Sequence, residues 1–125
     1  MRKEPTEKEI ENSILDYLKT QEGFFWKNQS VGIWDNAKKT YRRSNNRHHL
    51  NGVADILGVL PGGYFCAIEV KSKRGKTTEA QDSFLQMVSN INREGKAKAF
   101  VARSIEDVQR ELYGMQTKSD KEVSK

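Results

Sequence analysis

The sequence predicts an α/β fold in which a central mixed β-sheet is flanked by helices on both faces. Apolar residues recur at helical spacing in residues 6–20 and again in residues 78–94. Between these helices, two apolar runs at residues 53–60 and 64–71 flank a Pro-Gly-Gly turn signal, as in a β-hairpin. A chain of 125 residues with this order of elements is expected to form one domain.

The first elements are a helix and an aromatic strand. Thr6 and Glu9 form a capping-box pattern at the start of the helix over residues 6–20. Gly23 follows that helix, and residues 24–27, three of which are aromatic, predict a strand. We expect the aromatic side chains of Phe24, Phe25, Trp26 and Trp34 to pack in the core or in a dimer interface rather than to stack on unpaired bases.

The middle of the chain is polar. Residues 31–34 continue the strand character, residues 35–37 suggest a turn, and residues 38–43 are read as the returning arm. A polar stretch as long as residues 35–52 is uncommon in a compact domain and is often functional.

The last elements follow a basic loop over residues 72–77. Thr78 and Gln81 form a second capping-box pattern at the start of the helix over residues 78–94. A short strand over residues 97–102 and a final helix capped by Ser104 come next. Residues 114–125 are charged and poor in large apolar side chains, so we expect a disordered tail after a domain of residues 1–113.

The central hairpin predicts that two carboxylates lie face to face. If residues 61–63 form the loop, Leu60 pairs with Tyr64, and counting back along both strands places Asp55 opposite Glu69. Directly opposed residues share one face of a sheet, with Cβ atoms about 5 Å apart. The prediction depends on the loop length, because a two- or four-residue loop would move Asp55 away from Glu69.

Opposed carboxylates destabilise a sheet unless a cation lies between them. Lys71 lies two residues beyond Glu69 and is therefore expected on the same face. Mg²⁺ or Mn²⁺ suits such a site, since hard cations take carboxylate oxygens, water and phosphate, and they activate water for phosphodiester hydrolysis. The alternative is a solvated surface network of ion pairs formed by Asp55, Glu69 and Lys71.

Composition favours a polyanionic partner and excludes several other classes. The chain carries 22 basic and 17 acidic residues, a net charge of +5. The single cysteine, Cys66, excludes an internal disulfide and a cysteine-based zinc site, and we expect it in the core on the face opposite Glu69. No apolar stretch reaches transmembrane length and no signal peptide is apparent, so we expect an intracellular, cytoplasmic protein without membrane contact.

Two basic clusters flank the hairpin and are candidates for phosphate contacts, which give affinity rather than sequence recognition. Their members are Lys38, Lys39, Arg42, Arg43 and Arg47 before it, and Lys73, Arg74 and Lys76 after it. Solvated surface loops are the alternative explanation. His48 and His49 are adjacent, but a zinc nuclease site would need a further ligand from a following helix, so we interpret them as phosphate contacts or surface residues.

Four segments in order resemble the PD-(D/E)XK nuclease superfamily, in particular its virus-type replication-repair (VRR-NUC) branch. The resemblance extends from Glu7 to Val108 and implies a restriction-endonuclease-like core. The matching segments are the helix glutamate Glu11, Gly52-Val53-Ala54-Asp55, Ile68-Glu69-Val70-Lys71 and Glu79-Ala80-Gln81. Ala54 departs from the proline of the family name, but proline supplies no catalytic group there.

The resemblance implies a role for each matching residue. Asp55, Glu69 and the carbonyl of Val70 would bind Mg²⁺ or Mn²⁺, and Lys71 would position or activate the attacking water. Gln81 would contact that water, the metal's ligand shell or a phosphate, although its place in a capping box explains it equally well. Glu11 would assist metal or water binding, although it is also explained as an ordinary surface acid of the helix.

The activity implied is that of a metal-dependent DNA endonuclease, structure-selective in the manner of a Holliday-junction resolvase and acting as a homodimer. Two alternatives stay open. The chain could be a basic DNA-binding module without catalysis, although Asp55, Glu69 and Lys71 are all present. It could also be a restriction-type nuclease that needs a partner subunit for cleavage.

Overall fold

The computed structural model describes residues 3–29, 33–42 and 47–113. The helices are α1 (Glu7–Leu18), α2 (Glu79–Ile91) and α3 (Ile105–Val108), and a π-helical turn, Gln109–Tyr113, follows α3. The strands are β1 (Phe24–Lys27), β2 (Ile33–Asp35), β3 (Thr40–Arg42), β4 (Ile56–Leu60), β5 (Tyr64–Val70) and β6 (Lys98–Ala102). This is the predicted order of elements. The predicted tail, residues 114–125, lies outside the described residues.

Both long helices begin at the predicted caps. In α1 the Thr6 hydroxyl accepts from the Glu9 backbone N–H at 3.1 Å, and the Glu9 carboxylate accepts from the Thr6 N–H at 2.8 Å. The start of α2 has the same capping box. This helix ends at Ile91, short of the predicted residue 94, because the Asn92 side chain exchanges hydrogen bonds of 2.9 and 3.1 Å with the backbone of Ala97.

The main sheet has the strand order β1-β4-β5-β6. β4 is antiparallel to β1 and β5, while β6 is parallel to β5. Among the described residues, β2 and β3 form a separate two-stranded sheet. The α/β class and the mixed sheet are confirmed and are consistent with a restriction-endonuclease-like fold; helices on both faces of the sheet stay a prediction.

The register of the β4–β5 hairpin is the predicted one. Leu60 pairs with Tyr64, and the pairing continues to Ile56 opposite Ile68. The predicted strand limits were too wide at the other end, because β4 begins at Ile56 rather than at residue 53 and β5 ends at Val70 rather than at residue 71. Asp55 therefore lies just before its strand and Lys71 just after its own.

The β2–β3 turn lies later than predicted. Its turn residues are 36–39, and β3 starts at Thr40 rather than at residue 38. The Asp35 carboxylate accepts hydrogen bonds from the N–H groups of Ala37 and Lys38 at 2.9 and 3.1 Å, which holds residues 36–38 in the turn.

The buried apolar side chains of β5 alternate between two apolar clusters. Cys66, Ile68 and Val70 pack with α1 and α3, in a cluster completed by Ile10, Ile14, Leu18, Ile56, Ala102 and Val108. Ala67 instead packs with Phe84 of α2. Cys66 is a core residue, as predicted, and burial raises the pKa of its thiol to about 12. Within the described part of the chain, no helix has the length and apolar character needed to cross a membrane.

Candidate active site

One edge of the main sheet collects the predicted site residues. The parallel strands β5 and β6 both end at this edge, and the antiparallel strand β4 begins there. β1 is antiparallel to β4, so it ends at the same edge. We call it the site edge; it is marked by Lys27, Asp55, Lys71 and Arg103, which lie at or next to these strand ends.

Asp55 is fixed at the start of β4 by backbone hydrogen bonds. Its Oδ2 atom accepts from the Val70 N–H at 2.8 Å, and its own carbonyl accepts from the Asn28 N–H at 2.7 Å. The side chain therefore reaches across to the residue after Glu69. Asp55 and Glu69 themselves lie just beyond the last pair of the ladder, Ile56 and Ile68, and their side chains are close enough for Asp55 to raise the pKa of Glu69.

Glu69 is buried, with 1% of its surface exposed. Its Oε2 atom accepts a hydrogen bond of 2.9 Å from Gln81 Nε2 and lies 3.7 Å from Lys71 Nζ. Its Oε1 atom is also buried and has no hydrogen-bond partner among the described residues. A buried carboxylate oxygen without a partner is costly and marks a place where a proton or a cation can bind.

The surroundings of Glu69 favour its protonated form. Burial is the largest cause that raises the pKa of Glu69 to about 8, followed by a hydrogen bond with Asp55 and the negative charge of Asp55. Lys71 acts in the opposite direction, and Glu7 of α1 adds a smaller increase. Without a metal, the pair formed by Asp55 and Glu69 therefore holds a proton at neutral pH. A divalent cation could take the place of that proton.

Lys71 is almost as buried as Glu69, with 9% of its surface exposed. Its N–H donates to the Ala102 carbonyl at 3.0 Å, which ties it to the end of β6. A solvated network of surface ion pairs, the alternative considered from sequence, does not describe a carboxylate and an ammonium that are both withdrawn from water.

Gln81 belongs to the capping box of α2 and also contacts a carboxylate of the candidate site. Its Oε1 atom accepts from the Thr78 N–H at 2.8 Å as part of the capping box of α2. Its Nε2 atom donates to Glu69. The helix cap therefore orients the amide that holds one oxygen of the site, and a direct catalytic role for Gln81 stays a prediction.

Glu11 is buried on α1 and forms an ion pair with Lys27. Sequence reasoning selected Glu11 but not Lys27, whose side chain is about half exposed. The antiparallel pairing of β1 with β4 brings Lys27 opposite Ile56, next to Asp55. Only the strand order reveals this neighbour, and the local sequence pattern does not specify that order.

The two basic clusters have different relations to the site edge. Lys73, Arg74 and Lys76 are exposed on the loop that directly follows Lys71. Lys38 and Lys39 are exposed at the turn of the separate β2–β3 hairpin. Of the remaining predicted contacts, Arg42 ends β3, Arg43 lies outside the described residues, and Arg47 is exposed beside the exposed His48 and His49.

The carboxylate oxygens at the site edge are ligands that suit a hard divalent cation. Among the described residues, no three His, Cys, Asp or Glu side chains form a group able to hold a metal ion by themselves. Mg²⁺, however, is typically bound by one or two carboxylates together with water and substrate phosphate. Asp55 and the unpartnered Oε1 atom of Glu69 provide such a pair.

Comparison of the chain with models of protein families, with curated proteins and with solved structures found no match. The geometry of the site edge is therefore the basis for its interpretation.

Proposed function

We propose that the protein is a metal-dependent DNA endonuclease of the PD-(D/E)XK type, similar to the VRR-NUC branch. The observation that carries the proposal is the buried Glu69, whose Oε1 atom has no partner among the described residues and which lies beside Asp55 and Lys71. Such an arrangement is unfavourable for stability alone. It is the arrangement that a cation-assisted hydrolase needs.

Asp55 and Glu69 would hold Mg²⁺ or Mn²⁺, with the Val70 carbonyl as the further ligand that the resemblance implies. When bound, the ion would polarise the phosphodiester and lower the pKa of a water molecule. Lys71 would orient the attacking water or offset the negative charge that develops on the phosphate. Gln81 would keep the Glu69 carboxylate in place through its hydrogen bond.

DNA would approach the site edge over the exposed basic loop. The loop that carries Lys73, Arg74 and Lys76 begins directly after Lys71. Phosphates that contact this loop would therefore lie near the carboxylate pair. Contacts of this kind are independent of sequence, which suits selection of DNA by shape. We therefore propose branched DNA, such as a four-way junction, as the substrate.

An exposed apolar surface supports a homodimer. Phe24, Val59 and Phe65 lie directly opposite one another on β1, β4 and β5, and they are 67%, 39% and 39% exposed. The Phe24 ring lies 5.4 Å from the exposed Trp26 ring, and Phe65 lines a groove with Ile91 of α2, which is also exposed. We call Phe24, Trp26, Val59, Phe65 and Ile91 the apolar patch.

The size and rim of the apolar patch suit a second copy of the chain. These side chains expose roughly 500 Å² of apolar surface, near the upper range for a monomer and a large part of the roughly 800 Å² that each partner buries in a standard interface. Its rim carries both signs of charge, with Arg93 and Lys96 beside Glu94. A two-fold interface must be complementary to itself, and a rim of mixed charge allows this.

The proposed activity is tested by incubating the chain with a four-way junction, a flap, a splayed arm and a plain duplex in Mg²⁺, Mn²⁺ or EDTA. We expect metal-dependent cleavage, strongest on a branched substrate, and its loss in Asp55→Asn. Cleavage by Asp55→Asn at the wild-type rate would refute the assigned site. Binding without cleavage under every metal condition would favour the non-catalytic DNA-binding module, and cleavage only after addition of a partner would favour the restriction-type alternative.

A further inference from the structure

Arg103 holds the backbone of the basic loop. Its Nη1 atom donates to the carbonyls of Ser72 at 2.6 Å, Gly75 at 2.7 Å and Lys73 at 3.3 Å. One guanidinium nitrogen is therefore within hydrogen-bond distance of three carbonyl oxygens in a stretch of four consecutive residues. Hydrogen bonds with a charged donor are stronger than those between neutral groups, so this contact is well suited to fix a loop.

Arg103 is itself fixed on the core. It directly follows β6, whose last residue, Ala102, is buried and pairs with Val70 of β5. The Arg103 N–H donates to the Asp107 carboxylate at 2.8 Å. Burial raises the pKa of Asp107, but hydrogen bonds from Arg103 and Arg110 outweigh it and leave this pKa below its usual value. The backbone of Arg103 is thus held by the strand that precedes it and by the Asp107 carboxylate.

The loop connects two parts of the candidate site. It runs from Lys71, beside Glu69, to Thr78, the cap of α2 that also binds Gln81. Its carbonyls at residues 72, 73 and 75 bind Arg103, while its Lys73 and Arg74 side chains are exposed. The contact therefore orders the backbone and leaves the basic side chains exposed to a polyanion, which would compete with the exposed Glu4 carboxylate 3.9 Å from Arg74.

Ordering a loop costs conformational entropy, and a loop that is ordered before binding avoids that cost in the complex. We propose that Arg103 is a positioning residue that preorganises residues 72–77 for contact with the phosphates of DNA. The part of this inference that concerns DNA rests on the proposed function, whereas the ordering of the loop does not.

The test compares wild type with Arg103→Met, Arg103→Lys and a control, Arg110→Met. Arg103→Lys keeps a cation that can reach the carbonyls. Arg110→Met removes the same charge from a neighbouring exposed arginine that contacts Asp107. Amide hydrogen exchange of Gly75, whose N–H donates to the Ser72 carbonyl at 3.1 Å, is measured in the free protein, and the Kd for a branched DNA is measured in EDTA over a series of salt concentrations.

We expect Arg103→Met to raise exchange of the Gly75 amide about tenfold or more, because without its hydrogen bonds to a charged partner the loop backbone opens more often. We expect its Kd to increase about three- to tenfold, with little change in the salt dependence, because the number of phosphate contacts is kept. Arg103→Lys should retain most of the protection, and Arg110→Met should exchange as wild type does.

Unchanged exchange in Arg103→Met would overturn the proposal. Weaker binding with unchanged exchange and a smaller salt dependence would overturn it as well, since Arg103 would then be a phosphate contact itself. If wild type binds no DNA, the proposed function fails, and the exchange data still decide whether Arg103 orders the loop.

Discussion

Replacing Glu69 by glutamine should make the metal-free protein more stable at alkaline pH. The amide keeps the shape of the side chain and can still accept the hydrogen bond from Gln81, but it has no charge to bury. In wild type, the pKa of Glu69 is raised from 4.5 to about 8, chiefly by burial and then by Asp55. Ionised Glu69 is therefore unfavourable in the folded protein.

The sign and size of the effect follow from this pKa. Between pH 4.5 and about 8 the folded protein keeps a proton on Glu69 that the unfolded chain has already lost. The unfolding free energy of wild type therefore falls as pH rises through this range. Each pKa unit corresponds to about 1.4 kcal/mol, but relaxation around the ionised group reduces the full effect, so we expect a loss of about 2–4 kcal/mol.

The assay is urea denaturation in EDTA at several pH values from 5 to 9. Wild type and Glu69→Gln should have similar unfolding free energies near pH 5 and diverge as pH increases, with the variant more stable at pH 9. Glu94→Gln, which removes an exposed carboxylate in the turn after α2, serves as the control and should follow wild type. Parallel curves for wild type and Glu69→Gln across the whole range would refute the reasoning.

Three further variants test other contacts. Gly52→Ala should lose at least about 2 kcal/mol of unfolding free energy, measured by urea denaturation, because its φ is +79° and a Cβ would clash with the Ala80 carbonyl; wild-type stability would contradict this. Gln81→Met should lose about 1–2 kcal/mol in the same assay, since it removes a cap bond and the donor to Glu69; an unchanged midpoint would count against both contacts. Phe65→Asp should convert a dimer to a monomer in sedimentation equilibrium with its helix content kept, and a monomeric wild type would refute the use of the apolar patch.

Local sequence signals predicted the hairpin and the helix starts well. The turn at residues 61–63 determined the register of β4 and β5, and with it the approach of Asp55 to Glu69. The capping boxes determined where α1 and α2 begin. These features depend on residues close together in the chain, so a short stretch of sequence contains the information.

Features that depend on strand order could not be predicted in the same way. Lys27 reaches the site edge because β1 pairs with β4, and Arg103 reaches the loop because β6 runs parallel to β5. Neither pairing has a local sequence signature. The burial of Glu69 was also missed, because alternation along a strand tells which side chains share a face but not how deeply a helix covers that face.

The central claim is that Asp55 and Glu69 together bind a divalent cation. It is tested most directly by calorimetric titration of Mn²⁺ into the DNA-free protein, with wild type, Asp55→Asn, Glu69→Gln and the control Glu94→Gln. We expect binding by wild type and Glu94→Gln that strengthens as pH rises toward 8, as Glu69 gives up its proton. We expect little or no binding by Asp55→Asn or Glu69→Gln. Equal Mn²⁺ affinity in all four proteins, or no binding by wild type at pH 8.5, would contradict the claim.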